Sequence, residues 1–337
     1  MVAAGTVRAR AALMTRRVAA VDCGTNSLRL LVADVDLSRS RLTDVARRME
    51  IVRLGQGVDR NGRLAPDALD RTIGVLCDYA DVIASSAARA VRMVATSATR
   101  DASNSAEFAY RVKEVLGIAP EVLSGAEEAM LSFTGATAEL AARRDDGPFL
   151  VVDIGGGSTE FVLGAAATAG ATGAGADHVG RAISVNIGCV RMTERHLHGD
   201  PPDSRQVADA IADIDAALGV VSDAVPVRQA RTLIGLAGSV TTVAGIAMGL
   251  PAYDPVRIHH ARVSAADVHE VTRTLLAQTR VVRAAIGVMH PGRMDVIGGG
   301  ALILDRVMKR FGFGEVLVSE HDILDGIAWS LARDGCE

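Results

Sequence analysis

Short runs of apolar residues alternate along the chain with longer segments in which apolar residues recur every three or four positions. Two β-rich runs, at 18–21 and 28–35, flank a polar, glycine-containing turn, and this pattern predicts a β-hairpin. A further strand is predicted to end near Gly55. A helix is then predicted from Pro66 to about Ser86. Its start is placed at Pro66 because proline is favoured in the first helical turn.

The same alternation continues to the end of the chain. VRMVATSATR predicts a short buried strand that runs into a Thr/Ser turn, and Asn104 is predicted to cap a helix that ends at Gly117. The second half begins with the strand FLVVDI and closes with the strand EVLVS and a helix from about His321. Strands and helices alternate throughout, which predicts the α/β class.

Three features of the sequence bear on where in the cell the protein is found. Residues 1–15 are predicted to be a disordered tail without a signal-peptide core, and 164–177 a low-complexity hairpin loop. No run of about 18 apolar residues is present, so no membrane-spanning helix is expected. Widely spaced cysteines without a CxxC pair predict reduced thiols in a cytoplasmic protein: Cys23, Cys77, Cys189 and Cys336.

The amino-acid composition narrows the kinds of molecule that the protein is expected to bind. Of the 337 residues, 49% are hydrophobic and 23% charged, and the formal net charge is −4. This balance provides no global attraction for nucleic acid or acidic lipid, so any anion site must be built locally. The basic stretch Arg191, Arg195 and His196 leaves two alternatives open, a guide for a polyanion or a solvated helix face.

An internal repeat is the most informative pattern. DCGTNSLR at 22–29 and DIGGGSTE at 153–160 share Asp, Gly and Ser at equal spacing. Each segment has a predicted strand before it and another after it. The repeat predicts two related domains that face each other across a cleft.

The chemistry of these turns favours a phosphate ligand. A P-loop is excluded because neither Lys113 nor Lys309 lies in a glycine-rich turn, and a dinucleotide fingerprint because a strand, not a helix, follows the second turn. Backbone N–H groups and hydroxyls of such turns can surround phosphate oxygens, although a pair of glycine hairpins without a ligand remains an alternative. The flanking carboxylates of Asp22, Asp153 and Glu160 are oxygen ligands of the kind that suits Mg²⁺.

Five segments together resemble the exopolyphosphatase / guanosine pentaphosphate phosphohydrolase (Ppx/GppA) family: VDCGTNSLRLLVAD, VRMVATSATRDASNSAEF, VLSGAEEAMLSFTGA, VVDIGGGSTEFVLG and NIGCVRMTERH. The resemblance extends from about Val18 to the C-terminus. It implies two ribonuclease-H-like domains of the actin, Hsp70 and sugar-kinase superfold, with the active site in the interdomain cleft. The expected domains are 16–125 and 126–319, with the C-terminal helix, 320–335, a candidate to pack back on the first.

The resemblance also implies roles for individual residues. In the SGAEEA motif, which opens a helix predicted over roughly 126–142, Glu128 is the catalytic carboxylate and Glu127 its neighbour. Asp153 and Glu160 are implicated in catalysis and Mg²⁺ binding, with Asp22 as a third candidate ligand. The positions expected to bind phosphate are Gly24, Thr25, Asn26, Ser27, Arg29, Ser97, Arg100, Gly155, Gly156, Gly157 and Ser158.

The leading hypothesis is Mg²⁺-dependent release of terminal phosphate from inorganic polyphosphate. The alternatives are a guanosine pentaphosphate 5′-phosphohydrolase, an ATP-dependent kinase of the same superfold, and a non-catalytic sensor. Neither a nucleic acid nor a membrane partner is expected, and the family resemblance favours a homodimer. His321-Asp322 is interpreted as a coincidental HD dipeptide, since the spaced histidines of the HD-type domain of longer members are missing. A short, two-domain member is therefore expected.

Overall fold

A computed structural model describes residues 15–142, 147–165 and 179–334. Residues 1–14 of the predicted N-terminal tail, nearly all of the predicted loop at 164–177, and Cys336 lie outside the described residues, whereas Thr15, the last residue of that predicted tail, begins a strand. Within the described ranges, no helix is both long and apolar enough to cross a membrane.

The first domain is built on a five-stranded sheet. Its strands are β1 (Thr15–Cys23), β2 (Ser27–Asp36), β3 (Arg41–Ile51), β4 (Ala90–Ala95) and β5 (Glu121–Val122). Its helices are α1 (Val58–Asn61), α2 (Pro66–Ser86), α3 (Ser97–Asp101) and α4 (Ser105–Leu116). Helix α5 (Gly125–Thr137), extended by a 3₁₀ turn at Ala138–Ala142, then leads to the second domain.

The second domain is built on a six-stranded sheet. Its strands are β6 (Phe149–Ile154), β7 (Thr159–Gly164), β8 (Val179–Val185), β9 (Thr232–Leu236), β10 (Arg262–Ser264) and β11 (Glu315–Val318). Its helices are α6 (Cys189–Arg195), α7 (Ser204–Ala224), α8 (Ala237–Ala247), α9 (Pro255–Ile258), α10 (Ala265–Ala277), α11 (Arg280–Ala284) and α12 (Ile297–Phe311), with a 3₁₀ turn at Val227–Gln229. The last helix is α13 (Ile323–Asp334).

The two sheets have the same topology. The first has the order β3-β2-β1-β4-β5, and the second contains β8-β7-β6-β9-β11 in the corresponding places, with β10 added at the edge. In each sheet the first three strands are antiparallel and the remaining corresponding strands run parallel to the first. This repeated order is the ribonuclease-H-like arrangement, and it agrees with the repeat predicted from the two glycine turns.

Successive side chains of β1 point to opposite faces of the first sheet, and a separate hydrophobic core lies on each face. Ala19 and Val21 pack in one cluster with side chains of α2 and α4. Val18 and Ala20, which point the other way, pack in a second cluster with Trp329 and other side chains of α13. The C-terminal helix therefore closes the open face of the first sheet.

Helix α5 joins the second sheet to α13. Its side chains Ala129 and Phe133 pack on the second sheet in a cluster of their own. On its other side α5 crosses α13 so closely that a Cβ at Gly135 would overlap the backbone carbonyl of Asp322, and one at Gly326 would overlap that of Leu131. These two glycines fix the position of α5 against α13.

Three local predictions differ from the structure. Strand β3 ends at Ile51 rather than near Gly55, because residues 52–55 leave the sheet to bond the first glycine turn. ATSATR does not remain a turn, since Ser97–Asp101 is helical. Asn104 precedes α4 as predicted but does not cap it, because its amide bonds both the N–H and the carbonyl of Leu64, at 2.8 and 3.1 Å.

Candidate active site

A cavity of about 100 Å³ lies between the two glycine turns. Most of the residues predicted from the sequence line it: Asp22, Gly24, Thr25, Asn26, Ser27, Arg29, Ser97, Glu128, Asp153, Gly155, Gly156 and Ser158. Three predicted residues, Gly157, Glu160 and Arg100, do not line the cavity. Each of these is bonded to, paired with or adjacent to a residue that does.

The first glycine turn is held from outside by the segment that follows β3. Within the turn, the N–H of Gly24 donates to the carbonyl of Ser27 at 3.0 Å. The N–H groups of Val52 and Arg53 donate to the Asn26 carbonyl at 3.0 and 2.9 Å. The neighbouring Thr25 carbonyl accepts the Gly55 N–H at 2.8 Å. The carbonyl oxygens of this turn are therefore engaged, which leaves its N–H groups as the side suited to an anion.

The second glycine turn repeats this arrangement. The N–H of Gly155 donates to the carbonyl of Ser158 at 3.1 Å, as Gly24 does to Ser27. The first N–H groups of α6 supply the outer bonds, from Cys189 to the Gly155 carbonyl and from Val190 to the Gly156 carbonyl, both at 2.9 Å. The equal internal bond in both turns supports the internal repeat.

Close packing against the first domain explains why glycine occupies two positions of the second turn. A Cβ at Gly156 would lie 2.8 Å from Thr25 Cβ, and one at Gly157 would lie 2.6 Å from Ser97 Oγ. Real Cβ atoms do not approach neighbours so closely, so the first domain itself requires glycine at both positions. The Thr25 and Ser97 hydroxyls lie 2.9 Å apart and hydrogen-bond each other within the first domain, on the side that meets the turn.

Asp153 and Glu160 are directly opposite each other on β6 and β7, so their side chains share one face of the sheet. The Ser132 hydroxyl donates to Asp153 at 2.6 Å, and the Ser184 hydroxyl donates to Glu160 at 2.7 Å. Burial, reinforced by the charge of Asp322, raises the pKa of Asp153 to about 6. Burial, reinforced by the charge of Asp153, raises the pKa of Glu160 to about 7.

Asp22 and Arg29 occupy the corresponding positions on β1 and β2. Arg29 Nη2 donates to Asp22 Oδ2 at 2.7 Å, and Arg29 Nη1 pairs with Asp322. Burial raises the pKa of Asp22 in spite of the opposing charge of Arg29. The other oxygen, Asp22 Oδ1, is buried and accepts no hydrogen bond from the described residues.

Asp322 is a site residue that the sequence did not identify. It is buried directly before α13, accepts the Leu324 N–H at 3.0 Å and pairs with Arg29. Burial acts to raise the pKa of Asp322, but the charges of Arg29 and Arg47 and the hydrogen bonds from the Leu324 N–H and from Arg29 together hold that pKa below its ordinary value. The sequence offers one local signal, an acidic residue before a helical pattern. Its pairing with Arg29, 293 positions away, has no such signal.

The two adjacent glutamates of α5 have different environments. Glu127 forms a capping box with Ser124, whose N–H donates to the Glu127 carboxylate at 2.8 Å. Glu128 is buried instead, and Arg100 donates to it at 3.2 Å. Burial and the charge of Glu160 raise the pKa of Glu128 well above its ordinary value. Glu127 is therefore an acid that only caps the N-terminus of the helix, whereas Glu128 has a different, buried environment.

Three carboxylates at the cleft are of the type that holds a hard divalent cation, although they are not among the described residues whose ligand atoms lie within 4.8 Å of one another. Asp22, Asp153 and Glu160 supply only oxygen ligands, the type that Mg²⁺ prefers. Burial is the main cause of the raised pKa values of all three, and neighbouring carboxylates add to it. The buried, unpartnered Asp22 Oδ1 is an oxygen that a bound cation would satisfy.

A histidine cluster lies away from this cleft. Ligand atoms of Glu139, His259 and His321 come within 4.8 Å of one another. However, His259 Nδ1 accepts the Glu320 N–H at 3.2 Å. In its neutral form that ring therefore carries its proton on Nε2, which donates to Glu139 at 3.3 Å. His259 is therefore held by hydrogen bonds on both ring nitrogens and offers no free ring lone pair to a metal ion.

Neither alternative for the basic stretch at 191–196 is correct for Arg191. Its side chain is only 10% exposed, so it is not part of a solvated face. Its guanidinium pairs with Asp59 and Asp101 of the first domain, so it is not free to guide a polyanion.

Comparisons with known proteins agree with this geometry. The model of the Ppx/GppA phosphatase family matches residues 31–334. Exopolyphosphatase 2 of Mycobacterium tuberculosis is 50% identical over 328 residues, which cover 94% of this chain and 98% of that protein.

Two solved structures have the same fold. An exopolyphosphatase-like protein superposes with a TM-score of 0.89 at 42% identity, covering 96% of this chain and 100% of the other. The Ppx/GppA family member of Aquifex aeolicus superposes with a TM-score of 0.77 at 29% identity, covering 96% and 99%. The repeated sheet order, the paired glycine turns and the family match over nearly the whole length lead to one conclusion: the chain belongs to the Ppx/GppA phosphatase family.

Proposed function

We propose that this protein is an exopolyphosphatase, which hydrolyses the terminal phosphoanhydride bond of inorganic polyphosphate. The observation that carries the proposal is the position of the buried Glu128 carboxylate in a cavity whose other walls are two glycine turns. Such turns suit phosphate oxygens, and a carboxylate beside them suits the handling of a proton from water. The half-identical M. tuberculosis relative, whose name is exopolyphosphatase 2, supports the same substrate class.

In this proposal, the terminal phosphoryl group binds between the turns, with N–H groups and the Thr25 and Ser97 hydroxyls around its oxygens. Glu128 accepts a proton from the attacking water while the water oxygen bonds to phosphorus and the bridging P–O bond breaks. The products are orthophosphate and a chain shorter by one phosphate. A raised pKa makes Glu128 a stronger base, and the Arg100 bond holds its carboxylate in place.

Mg²⁺ is the cation that we propose for this site, held by Asp22, Asp153 and Glu160. When bound, it supplies positive charge that screens the phosphate oxygens and the leaving group. Arg29 bonds Asp22 and thereby fixes the orientation of one carboxylate. Ser132 and Ser184 do the same for the other two.

Mg²⁺ should stabilise the folded protein measurably. We expect 10 mM Mg²⁺ to raise the melting temperature by about 2–5 °C relative to NaCl of equal ionic strength, because the cation binds only the folded state. The matched control is the double variant Asp153→Asn/Glu160→Gln, which removes two buried, mutually repelling carboxylates. It should melt no lower than wild type without Mg²⁺ and should not respond to Mg²⁺. An equal Mg²⁺ shift in both proteins would contradict the proposed ligands.

The substrate class is tested by phosphate release from polyphosphates of defined length and from guanosine pentaphosphate. Polyphosphate turnover that shortens chains one phosphate at a time is the expected result. Turnover of guanosine pentaphosphate alone would contradict the exopolyphosphatase proposal. ADP formation from ATP with an added alcohol would instead support a kinase.

One observation favours guanosine pentaphosphate as a second substrate. A larger cavity of about 500 Å³ adjoins the cleft and shares Arg29, Gly238 and Arg293 with it. Part of its wall is apolar or aromatic, including Met289 and Tyr253. A mixed wall with an aromatic ring suits an organic group such as a nucleoside better than it suits a bare polyanion.

The ring of Tyr253 tests this second substrate. If a purine base stacks on it, Tyr253→Ser should raise the KM for guanosine pentaphosphate about tenfold, since such stacking contributes about 1–3 kcal/mol. Tyr253→Phe keeps the ring and loses only the hydroxyl, which donates to Glu320 at 2.7 Å and lies 2.8 Å from the Thr241 hydroxyl, so it serves as the control. Neither change should alter the KM for polyphosphate more than about twofold. Equal KM values for guanosine pentaphosphate in both variants would contradict a nucleoside in this cavity.

The domain boundaries are also part of the proposal. We assign residues 16–125 to the first domain, with the C-terminal helix, 320–335, and residues 126–319 to the second. The shared cluster of α13 with β1 and β2 supports the inclusion of that helix in the first domain.

A further inference from the structure

Arg191 reaches three separate acceptors, two of which lie across the cleft. It belongs to α6 of the second domain, and its Nε donates to the Gly157 carbonyl of the second glycine turn at 2.6 Å. Nη2 donates to Asp101 at the end of α3 at 2.6 Å, and Nη1 pairs with Asp59 on α1. One guanidinium therefore connects a glycine turn of the second domain to two helices of the first.

The first-domain end of this connection leads to the other glycine turn. Asp59 lies on α1, directly after the segment whose Gly55 N–H bonds the Thr25 carbonyl. The Val58 N–H donates to the Gly55 carbonyl at 3.1 Å, which ties α1 to that segment. A continuous set of bonds thus runs from Gly157 through Arg191 and Asp59 to the first turn.

Other bonds between the domains surround Arg191. Arg195 donates to Asp59 at 2.7 Å, and the Glu194 carboxylate accepts the Gly57 N–H at 3.0 Å. Arg195, followed by the Arg191 charge and bond, lowers the pKa of Asp59, although burial opposes them. The Arg191 guanidinium is buried, whereas its partners Asp59 and Asp101 lie at the surface. Separating the domains here would expose the guanidinium and break both of its ion pairs.

Buried ion pairs contribute little net stability, because desolvation cancels most of their attraction. Removing the two carboxylates, however, leaves the buried Arg191 guanidinium without its ion pairs, which is costly. A pair of this kind therefore selects one arrangement of the domains more than it stabilises folding. At this position, the arrangement of the domains that the ion pair favours sets the distance between the two glycine turns.

We propose that Arg191 is a positioning residue, which holds the two glycine turns at the spacing that a phosphoryl group requires by bonding Asp59 and Asp101 across the cleft. The proposal rests on the proposed function of the cleft. We call Arg191, Asp59 and Asp101 the interdomain clasp.

The decisive comparison uses three variants of the full chain. Arg191→Gln removes the charge, and Asp59→Asn/Asp101→Asn removes its partners. The triple variant removes both, while Arg195, which also loses Asp59, stays paired with Asp213. We expect each to lower kcat for polyphosphate about tenfold or more and to raise KM. The triple variant should be no worse than Arg191→Gln, because all three lose the same connection. Arg306→Gln is the matched control, since Arg306 pairs with Asp215 at 2.7 Å within the second domain and should leave both constants unchanged.

Hydrogen–deuterium exchange separates the clasp from the substrate assignment. In the folded triple variant, peptides covering 52–61 and 155–158 should exchange faster than in wild type, while the Arg306→Gln protein should not differ there. Faster exchange without phosphate release by wild type would retain the clasp and contradict the exopolyphosphatase. A folded triple variant with wild-type kcat, KM and exchange would overturn the clasp.

Discussion

Glu128→Gln should lower kcat for polyphosphate about 10²–10⁴-fold, the usual contribution of a general base. The substitution keeps the size and position of the side chain but removes its ability to accept a proton from water. KM should change less than about threefold, because the glycine turns and the other carboxylates are untouched. Steady-state phosphate release measures both constants, and thermal unfolding verifies that the variant is folded.

Glu127→Gln is a control one position away. Glu127 is exposed and serves the capping box with Ser124, so its loss should cost at most about 1 kcal/mol of stability and leave kcat within about twofold of wild type. The two variants differ in burial and not in chemistry. If Glu128→Gln retained more than a tenth of the wild-type kcat, the assignment of the proton acceptor would be wrong.

The sequence was sufficient for the features that local pattern encodes. Period-2 runs around glycine turns predicted both hairpins, and the repeat predicted two sheets of one topology, because strand order follows from the repeated unit. Pro66 gave the correct start of α2 for a local reason, its preference for the first helical turn. Strand β3 was predicted too long, since its end depends on bonds to a turn 26 or more positions earlier.

The residues that the sequence missed are those whose role depends on a distant partner. Asp322 looks like part of an ordinary helix start, and only the packing of α13 on the first sheet brings it to Arg29. Arg191 looks like an exposed helix residue, and only closure of the domains buries it against Asp59. Motifs reveal what is adjacent along the chain, whereas these ion pairs depend on how the two domains dock.

The glycine turn of the second domain also gains a second explanation. The sequence interpreted its bare backbone as a surface for a phosphate. The structure shows that the first domain already requires glycine there, because Thr25 and Ser97 approach Gly156 and Gly157 directly. A phosphate-binding turn and a close contact between domains thus both require glycine at these positions. The presence of glycine alone does not tell the two causes apart.

Gly135→Ala should disturb the site from outside the cleft. Its Cβ would overlap the backbone carbonyl of Asp322, which a side-chain rotation cannot relieve, so α5 and α13 must separate. We expect a loss of about 1–3 kcal/mol in the free energy of unfolding, the usual cost of overpacking. Because the shift moves Asp322 away from Arg29, kcat should also fall by about 10²-fold, as expected for a displacement near 1 Å.

Gly219→Ala is the matched control, because that glycine lies within α7 and a Cβ there meets nothing within 4 Å. This change should stabilise the protein by about 0.5–1 kcal/mol through helix propensity and leave kcat unchanged. Denaturant unfolding and phosphate release measure both effects. A loss of stability without a loss of kcat in Gly135→Ala would separate the helix crossing from the catalytic geometry. It would then follow that the pairing of Asp322 with Arg29 tolerates a shift of α13.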